Sequence, residues 1–78
     1  MIIKVKTVTN RELEINTISE GDSIGNLKEA IEASEGIPVI QQRLIFSGKT
    51  LTDEKTVQES GISAGVTVHM VLALRAGQ

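Results

Sequence analysis

Few side chains in this sequence can do covalent chemistry. His69 is the only histidine and cysteine is absent, so a histidine metal cluster is excluded, and no nucleophile, base and orienting group are expected to come together. The stretch GDSIGN holds glycines but lacks the lysine and spacing of a phosphate-binding loop. Ser23 reads as a helix cap and Ser47 as a turn residue. Glu12, Glu14, Glu32 and Glu35 read as a solvated face. What remains is the end of the sequence, VHMVLALRAGQ. A strand runs to Leu74, and then Arg75, Ala76, Gly77 and Gln78 follow with nothing left to pack. No enzyme, cofactor or metal is expected from this inventory.

The elements that hold up that end must come from one small domain. The chain has 78 residues, 40% of them hydrophobic and 23% charged, which is a folding composition. The formal net charge is −2 with acids and bases intermixed, unlike a nucleic-acid binder with its basic face. No apolar run approaches the ~20 residues of a spanning helix, so no membrane role is expected. MIIKVKTV is too short and too charged for the core of a signal peptide. Phe46 is the sole aromatic residue, which argues against base or sugar stacking. Without cysteine, stability rests on packing and hydrogen bonds, and a reducing compartment fits.

MIIKVKTV alternates apolar and charged residues, which predicts a strand. Thr9-Asn10 signals a turn, and RELEINTI alternates again through Leu13 and Ile15. Ile18 breaks that parity, and a bulge near Asn16-Thr17 would restore it to the core side. Ser23 caps a helix running to about Glu35, with Ile24, Leu27 and Ile31 on one stripe. Gly36 stops it and Pro38 prevents its continuation. QQRLIF forms a third strand, SGKTL a turn and brief fourth strand, and TVQESGI one helical turn before Gly61. GVTVHMVLAL is the last strand. The order predicts an α+β roll over 1–74 with a flexible tail at 75–78. Its core is Ile3, Val5, Leu13, Ile15, Ile18, Ile24, Leu27, Ile31, Leu44, Leu51, Val57, Ile62, Val68 and Met70.

Parity then exposes an anomaly. With Met70 and Leu44 inward, His69, Val71 and Ile45 point outward, and Val8 falls on the Lys4/Lys6 face. If the strands are neighbours, an apolar patch rimmed by Lys6, Arg43 and Lys49 lies outside the sheet, a protein-binding feature. If they are not, these are ordinary scattered surface residues.

MIIKVKTVTNRELEI, EGIP, QQRLIFSGKTLTDEKTV and VHMVLALRAG resemble ubiquitin-like protein modifiers along the whole chain. IKVKT, DEKT and MVLALRAG, with Ala73 where ubiquitin has arginine, resemble the neddylation type most. One extra residue falls in the Asn16–Gly21 region. The resemblance implies a β-grasp fold, a mixed sheet of about five strands on one helix. It implies a main binding patch at Val8, Ile45, His69 and Val71 and a second at Ile37, Leu72 and Leu74. Val8 is smaller than the leucine usual there. Lys49 matches a chain-linking lysine, or is simply a solvated loop lysine. Lys6 also has a counterpart, whereas Arg11, Ala30, Ser34 and Ala64 replace other linking lysines, which suits single attachment. Lys28 is expected to pair with Asp53 as a structural contact.

The resemblance also gives the tail a purpose. An isopeptide tag needs an extended carboxylate that reaches an enzyme site, and glycine, lacking Cβ, passes through a narrow channel. Gly77 would be the conjugated residue after a protease removes Gln78. Ala73 and Arg75 would be read by the activating enzyme, with Ala73 avoiding an unpaired charge. The expected partners are activating, conjugating and ligase enzymes, a processing protease and cullin-type substrates, met by a monomer in the cytoplasm and nucleus. Ala76 departs from the usual glycine pair. The alternative is a ubiquitin-like interaction domain that uses the same patch and never conjugates.

Overall fold

The computed structural model describes residues 1–72. Its elements are β1 (Ile3–Thr7), β2 (Glu12–Ile15), α1 (Ile24–Glu35), a 3₁₀ turn (Val39–Gln41), β3 (Gln42–Phe46), β4 (Lys49–Thr50) and β5 (Thr67–Leu72). They form one mixed sheet in the order β2-β1-β5-β3-β4. β1 and β5 run parallel at its centre, and the other pairs are antiparallel. This is the β-grasp arrangement, with α1 packed on the inward face.

Each strand follows from alternation. Ile3 and Val5 of β1, Leu13 and Ile15 of β2, Leu44 of β3, and Val68 and Met70 of β5 are all buried. Ile24, Leu27 and Ile31 of α1 close the core against them, and every residue of the expected core set is buried. The helix starts where Ser23 Oγ accepts the Asn26 N–H at 3.1 Å. It stops at Gly36, whose φ of 76° lies in the left-handed region and whose N–H donates to the Glu32 carbonyl at 2.7 Å.

The turns also have local causes. Asn10 takes a φ of 66°, and Thr7 and Arg11 close the β1–β2 turn through Thr7 N–H donating to Arg11 O at 2.9 Å. Ser47 and Gly48 both have positive φ, the primed turn that suits a two-residue hairpin between β3 and β4. Ile18 is buried as expected, but by a different device from a bulge within the strand. β2 stops at Ile15 and the chain bends through Thr17, while the Met1 amino group donates to the Ile18 carbonyl at 3.3 Å. The TVQESGI segment makes one turn, in which Ser60 N–H donates to the Thr56 carbonyl at 3.1 Å.

Candidate functional site

The outer face of the sheet is assembled by the pairing of β5 with both neighbours. Ile45 stands across from His69 and Arg43 across from Val71 in the β3–β5 pair, and Lys6 stands across from His69 in the β1–β5 pair. His69 is exposed, while Ile45 and Val71 are half-buried. Three of the expected patch residues therefore share one surface, rimmed by Lys6 and Arg43. Lys4 and Lys6 also face Glu14 and Glu12 across β1–β2, an opposite-charge ladder that offsets part of the positive rim.

Val8 and Lys49 stand apart from those three. β1 ends at Thr7, so its parity does not extend to Val8. Instead Val8 sits in the turn, 61% exposed. With Ile37, Met70 and Leu72 it lines a hollow of about 100 Å³. Val8 thus lies beside Ile37 and Leu72 of the second patch. Lys49 is the register partner of Phe46, and Thr50 is the partner of Ile45. Lys49 therefore lies on the other side of the β4 edge from the rim. It lines a separate hollow of about 470 Å³ with Phe46, Leu51, Lys55, Glu59 and Ser60. Leu74, Ala73, Arg75, Gly77 and Gln78 lie outside the described residues.

Three polar contacts hold these surfaces in place. Arg11 Nη2 donates to Glu35 Oε2 at 3.2 Å, tying the β1–β2 turn to the end of α1 beside the Val8 hollow. Lys28 Nζ lies 2.7 Å from Asp53 Oδ1, the structural pair expected from the sequence. Thr56 and Glu59 form a capping box: Thr56 Oγ1 accepts the Glu59 N–H and Glu59 Oε1 accepts the Thr56 N–H, both at 3.0 Å. That Thr56 backbone N–H is the main reason the Glu59 carboxyl titrates below its ordinary value.

Two residues escaped the sequence reading. Gln42 is buried, and its Nε2 donates to the carbonyls of Lys28 and Ile37, each at 2.9 Å. Its signal was available, since it shares the inward parity of Leu44. Ile40, 62% exposed on the 3₁₀ turn, was passed over as part of a connecting segment. Among the described residues, no group of three or more His, Cys, Asp or Glu side chains is placed to hold a metal ion.

Fold and surface together define a small β-grasp domain with apolar residues on the outer face of its sheet. The family model described as "Ubiquitin family" matches residues 3–75, and the chain belongs to that family. It is 52% identical over 77 residues to the ubiquitin-like protein NEDD8 of Dictyostelium discoideum, covering 99% of each chain. It is 46% identical to the NEDD8-like protein RUB1 of Saccharomyces cerevisiae, again over 99% of each. To the NEDD8-like protein RUB3 of Arabidopsis thaliana it is 44% identical, covering 99% of this chain and 97% of the relative. Within the family the chain is a ubiquitin-like modifier of the neddylation type.

Proposed function

We propose that this modifier is joined through the Gly77 carboxylate, after cleavage of the Gly77–Gln78 bond, to lysine side chains of cullin-type proteins in the cytoplasm and nucleus. The observation that carries the reading is where the last described strand delivers the chain. β5 reaches Leu72 at the rim of the Val8 hollow, and LALRAG leads from there to Gly77. The modifier supplies the reacting carboxylate and no catalytic side chain.

The chemistry belongs to its partners, the activating, conjugating and ligase enzymes of a ubiquitin-like pathway. A Gly77 carboxylate oxygen attacks the α-phosphorus of ATP, the bond from that phosphorus to the bridging oxygen breaks, and pyrophosphate departs to leave a mixed anhydride of Gly77 with AMP. An enzyme cysteine thiolate then attacks the carbonyl carbon, the carbon–oxygen bond to the phosphate breaks, and AMP is expelled to leave a thioester. A lysine amine attacks the thioester, releases the thiolate, loses its proton to a base and leaves an amide. Ala73 and Arg75 are read by the activating enzyme. The Ile45, His69 and Val71 face recruits enzymes and readers.

The test compares the chain, and a form ending at Gly77, in lysate of its own cells with ATP. Mass spectrometry is expected to find loss of Gln78 from the first and thioester or isopeptide adducts from both. If the form ending at Gly77 gives no adduct, the non-conjugating interaction domain is the correct reading.

A further inference from the structure

β2 is the outermost strand of the sheet, and among the described residues its only strand partner is β1. Thr7 N–H donates to the Arg11 carbonyl at 2.9 Å, just beyond the register pair of Lys6 with Glu12. Hydrogen-bonded and non-bonded pairs alternate along an antiparallel ladder. Arg11, Leu13 and Ile15 therefore turn their backbone groups toward β1. The N–H and C=O groups of Glu12 and Glu14 turn to the open side, where a further strand would meet them.

The same edge borders a hollow of about 290 Å³ between β2 and the helix. Glu14, Ile15 and Thr17 line its strand side, and Ala30, Ala33 and Ser34 line its helix side. Positions three and four apart share a helix face, and these three side chains are short, so the gap stays open. A strand added to β2 alternates its side chains as β2 does. Residues opposite Leu13 and Ile15 point to the helix side, where the hollow takes an apolar side chain. Residues opposite Glu12 and Glu14 point to the outer face, beside two carboxylates.

Charge chooses the occupant. Glu12 and Glu14 are exposed, and the ion pairs among the described residues, Arg11–Glu35 and Lys28–Asp53, include neither. A second copy laid edge to edge would set these glutamates against their own duplicates, and like charges directly opposite destabilise a sheet. β1 shows the pattern that fits. Its Ile3 and Val5 are buried, while Lys4 and Lys6 stand opposite Glu14 and Glu12. We propose that the free edge of β2 accepts an extended segment of another protein in which lysine or arginine alternates with branched apolar residues. Backbone hydrogen bonds to Glu12 and Glu14 hold the segment, their carboxylates select its charge, and the hollow seats one apolar side chain. β1 separates this edge from β5, so the site is distinct from the Ile45, His69 and Val71 face and does not depend on conjugation.

The experiment titrates the full chain, labelled with nitrogen-15, with the peptide acetyl-KVKIKVK-amide and follows backbone amide signals. The signals of Glu12, Glu14, Ala30 and Ala33 are expected to shift and saturate. The acidic peptide EVEIEVE should not bind, and the blocked peptide KKKKVIV, which has the same composition without alternation, should bind about tenfold more weakly. The double variant Glu12→Gln, Glu14→Gln should raise the half-saturating concentration about tenfold, and Ala33→Gln, which fills the hollow, about fivefold. Thermal unfolding checks that both variants fold. Equal binding of the basic and acidic peptides, or equal binding by the parent and both variants, overturns the proposal. Shifts centred on His69 instead of β2 overturn it as well. A dimer in sedimentation without peptide, lost on Ala33→Gln, assigns the edge to a second copy and does the same.

Discussion

Ile45 and His69 face each other across the β3–β5 pair, on the side of the sheet away from the helix. One residue earlier, Leu44 is fully buried against the core. Adjacent residues of one strand thus carry separate tasks, and substitution separates them. Ile45→Ala is expected to weaken binding of a pathway enzyme roughly tenfold and to lower unfolding free energy by less than about 1.5 kcal/mol. Leu44→Ala should cost about 2–5 kcal/mol. Calorimetric titration and urea unfolding read the two effects, and equal destabilisation by both substitutions would contradict the face assignment.

The Lys28–Asp53 pair is asymmetric, since the lysine side chain is 10% exposed and the aspartate 50%. Removing the aspartate strands a buried ammonium, whereas removing the lysine leaves a carboxylate that water can reach. Asp53→Ala is expected to destabilise by about 1–3 kcal/mol and Lys28→Met by less, because methionine fills the same space without charge. Urea midpoints at neutral pH check the order, and the reverse order would refute it.

Glu59 gives a pH dependence. Its folded carboxyl binds protons more weakly than the unfolded one, chiefly because it accepts the Thr56 backbone N–H. Its contribution is therefore present above the unfolded glutamate value of about 4.3 and is lost as pH falls through the lower folded value. Glu59→Gln keeps a hydrogen-bond acceptor but no charge. The variant should lose less stability than the parent between neutral pH and pH values below ~4. Parallel stability profiles would show that Glu59 carries no such linkage.

Gly36 and Gly21 offer a paired test of backbone strain. A Cβ at either position meets nothing within 4 Å, but only Gly36 has a positive φ, of 76°. Gly36→Ala is expected to cost about 1 kcal/mol, whereas Gly21→Ala should be neutral or stabilise by up to about 1 kcal/mol. Thermal unfolding distinguishes them, and an equal cost at both would point to packing rather than backbone conformation.

Much of this protein was legible in its sequence because the relevant physics is local. Alternation along Ile3–Val5 and Val68–Met70 separates faces, and the Ile24, Leu27 and Ile31 spacing marks a helix stripe. Ser23 and Gly36 mark its ends through capping chemistry that needs only neighbours. Those rules named every buried apolar residue among those described and put Ile45, His69 and Val71 outward. Parity is no guide where a strand ends, so it could not place Val8 in its turn or Lys49 at the β4 edge.

The tertiary structure decided which strands stand together. Setting β5 between β1 and β3 makes one surface of Ile45, His69 and Val71, and gathers Val8, Ile37 and Leu72 around one hollow. It also buries Gln42, because carbonyls of Lys28 and Ile37 arrive to accept its amide protons. Such meetings depend on closing loops between distant segments and on the combined burial of many side chains. No run of neighbouring residues encodes them on its own.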